Sequence, residues 1–480
     1  MSESKQNNKI MGGLFWKFGE RLLSQGISFI ISLVLARLLM PEDYGTVSIM
    51  LIFINLSYVF ISSGFGTALI QKKDSDDTDF STMFYCSFIC SIIIYFIIFF
   101  TAPYIATFYK QPAITTLLRV FALQIPISSY NAIQNAYISR NMLFKKLFLS
   151  SVISTSLSGA LGIGMAFAGF GIWALVAQYI GATLVNTLVL AITVPWRLRL
   201  KFSFKAAKSL MKYGSGILLA DLSGTFFGEL RSLIIGRVYT SADLAFYSKG
   251  QQLPSLLTSN LGTSLTSVLF PAMSDYSDDI QRVKQLAKRS IQVLSYVIFP
   301  ALFGLAALME PLIIVLYTDK WAPCIPYAQF LSVGLAIGVL GIVPLQTIKA
   351  IGRSDVIVKL EFIKKPVYIL LLVVGVKINV LAIAATMMIY DIYGTFVNML
   401  QMKKYLDYGI AQQIKDILPC LVLTLTMAIA VLIIPTIVNP FITLIIKLCV
   451  GVAVYVGGSI IFKFDSFNYL LNTIKNYLGK

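Results

Sequence analysis

Residues 36–48 read A-R-L-L-M-P-E-D-Y-G-T-V-S, and residues 236–248 read G-R-V-Y-T-S-A-D-L-A-F-Y-S. Laid together, Arg37 meets Arg237, Asp43 meets Asp243 and Ser48 meets Ser248. Upstream, W-K-F-G-E-R-L-L from Trp16 matches M-K-Y-G-S-G-I-L from Met211, pairing Lys17 with Lys212 and Gly19 with Gly214. A pattern that returns after about 200 residues is an internal repeat. What kind of repeat depends on what lies between the copies.

What lies between them is apolar. The chain has 480 residues, is 57% hydrophobic and 13% charged, and has a mean hydropathy of +0.80. Soluble domains carry about 25% charged residues, and apolar runs of about 20 residues span lipid. Fourteen such runs are predicted, at 14–38, 45–69, 80–102, 114–138, 147–168, 171–194, 212–236, 245–270, 291–316, 325–349, 357–376, 379–400, 416–437 and 440–462. Glu361, Lys364 and Lys365 make the eleventh the least apolar in its first half. The connections are short, so no soluble domain is inserted. The first run contains Lys17, Glu20 and Arg21, too polar for a signal-peptide core, and no small-residue cleavage site follows it.

Charge gives these runs a direction. Assigned alternately to two sides, the loops place 28 Lys and Arg on one side and five on the other, namely Arg37, Lys110, Arg237, Lys320 and Lys377. Basic loops stay in the cytoplasm, so both termini are expected inside. The net charge of +17 is then loop charge, and no nucleic-acid partner is implied. Six runs separate the repeat copies, so both cross in the same sense. That is a parallel repeat, related by an axis along the membrane normal, with a substrate site expected between its halves. The expected domains are a first lobe at 1–196, a basic linker at 197–211, a second lobe at 212–402, two further helices at 403–463 and an amphipathic tail at 464–480. In the tail, Phe464, Phe467, Leu471, Ile474 and Leu478 recur at helical spacing, and Lys463 and Lys475 would face anionic lipid.

Ionisable residues inside a span are costly and by default face the bundle interior. The first run offers Lys17, Glu20, Arg21 and Gln25, the seventh Asp221, Glu229 and Arg231, and the eighth Lys249, Gln251 and Gln252. The fourth holds Gln124, Asn131, Gln134 and Asn135, of which 124, 131 and 135 fall near one stripe, and the twelfth holds Asp391 with Asn398. Structural ion pairs, such as Glu20 with Lys17 or Lys249, would account for single residues; the set favours a polar cavity. Pro126, Pro254, Pro300 and Pro344 lie inside spans and can kink them.

Several chemistries find no residues. There is no histidine for a proton relay and no G-x-x-x-x-G-K-[ST] nucleotide loop. The five cysteines form no Cys-x-x-Cys pair. Lys72–Asp79 contains Asp-x-Asp, which reads more readily as a charged loop than as a metal site. No metal, cofactor or enzymatic activity is expected. Asp221, Glu229, Asp391 and Glu20 are the candidates for coupling to a proton or sodium ion.

The segment Leu35–Lys73, L-A-R-L-L-M-P-E-D-Y-G and then S-S-G-F-G-T-A-L-I-Q-K-K, resembles the start of bacterial polysaccharide repeat-unit flippases. The second copy, followed by L-F-P-A-M-S-D from Leu269, is similar to the central region of the same family, within the multidrug/oligosaccharidyl-lipid/polysaccharide exporter superfamily. Met40 and Ala245 stand where members often have glycine. The resemblance covers roughly residues 10–420. It implies an all-α inner-membrane protein, two six-helix lobes forming a V plus two C-terminal helices. It also implies that the protein moves undecaprenyl-pyrophosphate-linked oligosaccharide (O-antigen, capsule or exopolysaccharide units) to the outer face, alongside a polysaccharide polymerase and chain-length regulator. Arg21 and Lys249, with Arg231 and Lys17, would then meet the pyrophosphate, and Gln25, Gln124, Asn131, Asn135 and Gln252 would line the path. A multidrug antiporter or a peptidoglycan lipid-precursor flippase of the same superfamily stays open. So does a membrane glycosyltransferase or polymerase, which would need a large outer loop with catalytic carboxylates.

Overall fold

The computed structural model describes residues 3–72, 75–435 and 439–478. Among the described residues there is no strand, and seventeen α-helices follow one another. They are α1 (Glu3–Leu38), α2 (Pro41–Gln71), α3 (Asp77–Phe108), α4 (Ile114–Phe121), α5 (Gln124–Asn141), α6 (Phe144–Phe167), α7 (Ile172–Thr193), α8 (Phe204–Val238), α9 (Ser241–Ser274), α10 (Ile280–Tyr317), α11 (Ile325–Gly338), α12 (Ile342–Ala350), α13 (Ser354–Ile378), α14 (Val380–Leu406), α15 (Ile410–Ile433), α16 (Pro440–Ile461) and α17 (Asp465–Leu478). Short 3₁₀ turns at Asp319–Cys324 and Val339–Gly341 flank α11.

Burial in these helices is inside out relative to a soluble protein. On α3 the serines and threonines 81, 82, 87 and 91 are buried, while Ile89, Ile93, Ile97 and Phe100 face outward. On α6 every fourth residue from Ser150 to Gly162 is buried, and Leu149, Ile153, Leu157 and Leu161 are exposed. Exposed hydrocarbon belongs against lipid, and small residues at helix interfaces let backbones approach closely. Ten described stretches are long and apolar enough to cross a membrane: α1 from Trp16, α2, α3, α6, α7, α10, Asp319–Ala350, α14, α15 and α16. Outside that set are the short α4, α5 and α17, and α8, α9 and α13, which carry charged or hydroxyl and amide side chains.

The chain divides into two compact units, Met1–Ala245 and Phe246–Lys480. In the first, α1 lies along α6, α6 along α7, and α2 between α5 and α8. The repeat is visible at atomic scale. The Met40 backbone N–H donates to Asp43 Oδ2 at 3.2 Å, and the Thr240 backbone N–H donates to Asp243 Oδ2 at 3.1 Å. The residues aligned by sequence therefore close the same N-terminal turn twice. Neither Met40 nor Ala245 needs to be glycine, because Met40 takes ordinary extended backbone with φ −85° and Ala245 lies inside α9 at negative φ. Gly45, in the first of these helices, faces the second turn: a Cβ there would lie 1.7 Å from the Ser241 carbonyl oxygen.

Two carbonyls freed by prolines are met by side chains from neighbouring helices. Pro103 leaves the Phe99 carbonyl without its helical donor; Arg119 Nε of α4 donates to it at 3.1 Å, with the guanidinium stacked over the Phe99 ring. In the second unit Pro300 frees the Tyr296 carbonyl of α10, and the Tyr455 hydroxyl of α16 donates to it at 2.8 Å. Pro254 likewise lies within α9. Pro126 and Pro344 do not kink a continuous helix. Each is the third residue of a new segment, so the predicted fourth and tenth spans are broken in two.

In the second unit α10 packs against α11, α15 and α16. Asp416 of α15 is held by Lys288 Nζ at 3.1 Å, Gln292 Nε2 at 3.1 Å and the Tyr408 hydroxyl at 2.7 Å. Phe464 and Phe467, at the start of the tail helix, pack on this unit's core rather than outward, and Arg289 stacks over Tyr469. The side chains of Ile474 and Leu478 lie outside the described residues. Glu361 pairs with Lys364 at 2.5 Å and Lys365 at 3.8 Å, so the charges interrupting the eleventh run are neutralised along α13 itself.

Tyr455→Phe tests the proline-linked bond. It leaves one carbonyl unsatisfied in a low-dielectric site, at a cost of about 1–3 kcal/mol. A thermal melt of the purified protein should fall by several degrees, while Tyr104→Phe, at a 77% exposed residue, should leave it unchanged.

Candidate functional site

The first unit carries an open, polar-lined cleft of about 420 Å³. Glu20 and Ser24 enter it from α1, Tyr58 and Ser62 from α2, Ser128, Asn131 and Asn135 from α5, Ser154 and Thr155 from α6, and Thr183 and Asn186 from α7. Five helices thus turn hydroxyls, amides and one carboxylate toward a single space. Three acceptor-bearing atoms there, Ser24 Oγ, Asn131 Oδ1 and Asn186 Oδ1, are buried without a hydrogen-bond partner among the described residues. Asn131 Nδ2 makes a long contact of 3.5 Å with the Thr183 carbonyl, which leaves its oxygen turned away. A carboxylate with unspent oxygens around it favours a proton or a hard cation over an anion.

The sequence candidates distribute unevenly around this cavity. Glu20, Asn131 and Asn135 line it. Gln124 stands beside it at the start of α5, donating to the Phe121 carbonyl at 3.0 Å and 3.5 Å from the Tyr58 hydroxyl. Gln134 is fully buried, with neither amide atom bonded to a described residue. Arg21 and Gln25 are half-buried on α1 and lie outside the lining, as adjacent helical positions point about 100° apart. Lys17 is exposed, with its ammonium over the Phe144 ring at the start of α6. On α8, Glu229 accepts a bond from Asn55 Nδ2 of α2 at 2.9 Å, Arg231 is half-buried and Asp221 is exposed.

Lys249 belongs to the second unit and is only 5% exposed. Its ammonium donates to Gln252 Oε1 at 3.2 Å and lies 5.0 Å and 5.6 Å from the ring centres of Tyr317 and Trp321. This aromatic box offsets part of the cost of burying the charge. A second polar cluster sits on one face of α14. Asp391 packs against Gly334 and Gly338 of α11, where a Cβ at Gly334 would lie 3.0 Å from Asp391 Oδ2. Thr395 donates to the Ile337 carbonyl at 3.1 Å, and Asn398, with its own Oδ1 unpartnered among the described residues, donates to the Gly341 carbonyl at 3.3 Å. The cluster therefore lies against the place where α11 gives way to its 3₁₀ turn, and such helix breaks present backbone carbonyls to ions.

The Asp-x-Asp loop is occupied with structure. Asp76 caps α3 by accepting from the Asp79 backbone N–H at 2.8 Å, and this bond holds its carboxyl below the ordinary carboxylate range. Asp79 pairs with Lys72 at 2.6 Å and Asp77 with Arg199 at 2.7 Å. Lys73 and Asp74 lie outside the described residues.

Tyr58, Thr183 and Asn186 join the site without any sequence signal beyond being polar within apolar runs. Arg119 and Lys447 also lie inside predicted spans, and neither touches this cavity.

Compared with solved structures, the whole fold is similar to the lipid II flippase MurJ in an inward closed conformation, with a TM-score of 0.74, 17% identity, and coverage of 94% of this chain and 98% of that one. It is also similar to an inward-facing multidrug resistance MATE family transporter of the MOP superfamily, with a TM-score of 0.59, 16% identity, and coverage of 82% and 98%. A family model described as polysaccharide biosynthesis protein matches residues 34–326, and the chain belongs to that family. Among curated proteins it is 26% identical to the succinoglycan biosynthesis transport protein ExoT of Rhizobium meliloti (strain 1021), over 71% of this chain and 69% of that one. It is 21% identical to the lipopolysaccharide biosynthesis protein WzxC of Escherichia coli (strain K12), over 76% and 75%. The chain is thus a multi-pass membrane protein of the polysaccharide biosynthesis family, similar in sequence to curated polysaccharide transport proteins.

Proposed function

We propose that this protein carries an undecaprenyl-pyrophosphate-linked oligosaccharide from the cytoplasmic to the outer face, by alternating access coupled to a proton or sodium ion. The observation that carries the ion-coupled reading is the acceptor-rich cavity around Glu20. Its unspent oxygens suit a cation and repel a pyrophosphate, so ion and substrate use different residues. The substrate's phosphates call for donors. Arg21, Arg231, Lys249 and Lys17 are the basic residues that supply them, with Gln25 and Gln252 as polar lining, and Glu229, Asp221 and Asp391 are further coupling candidates. A sugar and a pyrophosphate cannot cross hydrocarbon unaided, because each unsatisfied polar group costs several kcal/mol.

For this function the chain crosses the membrane fourteen times with both termini inside, in two repeat-related lobes at 1–196 and 212–402, a linker at 197–211 and helices 13 and 14 appended. The ten apolar stretches are joined by α4–α5, α8, α9 and α13, which are polar because they serve the path. The 28-to-5 asymmetry of basic loop residues supports this direction. Polymerase and chain-length regulator would act on the product at the outer face. Transport of the peptidoglycan precursor rests on likeness of fold alone, at 17% identity.

The test is a strain deleted for this gene. It should accumulate lipid-linked repeat units on the cytoplasmic face and lose surface polymer, and the intact gene should restore both. Arg21→Ala should insert normally and restore neither. Normal surface polymer with Arg21→Ala would remove Arg21 from the path.

A further inference from the structure

The second unit holds one more charged site. On α16, Thr443, Lys447, Gly451, Tyr455 and Ser459 are buried at every fourth position, and Leu448, Val452, Val456 and Ile460 face outward. Lys447 thus lies on the protein-facing stripe, about 10 Å along the helix from Pro440. A lysine near a helix end ordinarily snorkels, with its ammonium in water. Lys447 does not: the whole residue is 4% exposed. Among the described residues it has no ion pair, hydrogen bond or ring contact.

Its surroundings are a cavity of about 290 Å³ between α10, α15 and α16, otherwise lined by aliphatic residues and Tyr455. Pro300 and Gly304 form one wall and Met427 and Val431 another. The Pro300 wall is fixed by the bond from the Tyr455 hydroxyl to the Tyr296 carbonyl. The remaining lining includes Leu448, Val452 and Val456, whose outward faces are exposed. The space therefore borders the exposed apolar face of α16, the kind of surface that lies against lipid.

An ammonium without a counter-ion in such a place is expensive unless an anion arrives. The anion must bring hydrocarbon to fill the apolar remainder, and it must come from the side where lipid lies. We propose that α10, α15 and α16 form a binding site for an anionic phospholipid, with the lipid phosphate on Lys447 and an acyl chain along the Pro300–Met427 walls. Because the site is on the bilayer side and has no sugar-binding groups, its occupant is a membrane phospholipid and not the transported substrate. Its role is to fasten α15 and α16 to α10.

The full-length protein in detergent is titrated with phosphatidylglycerol or phosphatidylcholine and read by native mass spectrometry. A charge-assisted bond predicts about a tenfold preference for phosphatidylglycerol. Lys447→Arg should keep the preference and Lys447→Met should reduce it to less than about twofold, while Lys463→Gln leaves it intact. A photoreactive phosphatidylglycerol on the unaltered protein should cross-link to the 440–461 peptide, which tests the site even if Lys447→Met fails to fold. The proposal is overturned if Lys447→Met keeps the full preference, if the cross-link falls elsewhere, if inorganic phosphate alone competes, or if undecaprenyl phosphate displaces phosphatidylglycerol, which would give the site to the substrate's own lipid.

Discussion

Gly45→Ala is expected to prevent this protein from folding in the membrane. The added Cβ would sit 1.7 Å from the Ser241 carbonyl oxygen, 2.4 Å from its carbon and 2.9 Å from its Cα. All three are backbone atoms, so no side-chain tip can swing aside. Both turns are also pinned, one by Asp43 on the Met40 N–H and the other by Asp243 on the Thr240 N–H. Separating them would break the contact between the two turns. Overpacking of this kind costs about 3 kcal/mol or more, a large part of a typical stability. Gly26→Ala is the control, since a Cβ there meets nothing within 4 Å and alanine favours helix by up to about 1 kcal/mol. Membrane yield and thermal midpoint should collapse for Gly45→Ala and hold or rise for Gly26→Ala. Equal yields would show that the two turns do not pack as described.

The second large effect is on transport. Glu20→Gln keeps the size and hydrogen-bonding reach of the side chain but removes its charge and its ability to take up a proton. Surrounded by Ser24, Asn131 and Asn186 with unspent oxygens, an amide cannot neutralise a cation. Loss of one charge-assisted contact is worth about 1.5–3 kcal/mol, so ion-driven transport should fall at least about tenfold. The protein should remain folded, because among the described residues Glu20 carries no ion pair whose partner would be stranded. Asn131→Leu, at another lining residue, should impair the same step. Full transport with Glu20→Gln would move coupling to Glu229, Asp221 or Asp391.

Much of this fold is legible in the sequence because the physics of lipid is severe. Long apolar runs need no tertiary information, and the pairing of Asp43 with Asp243 can be read from a short alignment. The broken helices are not legible. Pro126 and Pro344 announce an interruption, but whether a proline kinks a helix or begins a new one depends on the residues before it, such as the 3₁₀ turn at Val339–Gly341. The site is half legible. Glu20, Asn131 and Asn135 stand out as polar residues within apolar runs. Tyr58, Thr183 and Asn186 do not, because hydroxyls and amides in membrane helices commonly bond their own backbone, as Thr183 does to the Tyr179 carbonyl. Lys249 is visible as a charge but not as the occupant of an aromatic box, since Tyr317 and Trp321 lie about 70 residues further on. Lys447 has no partner in its own helix to mark it.

The most direct measurement places the purified protein in sealed vesicles with an undecaprenyl-pyrophosphate-linked oligosaccharide and follows the sugar's appearance on the opposite face under an imposed sodium or proton gradient. Protein-dependent translocation is expected, faster in one gradient direction and unresponsive to the gradient in Glu20→Gln. Translocation no faster than in protein-free vesicles, or a rate indifferent to both gradients in the unaltered protein, would contradict ion-coupled transport of a lipid-linked sugar.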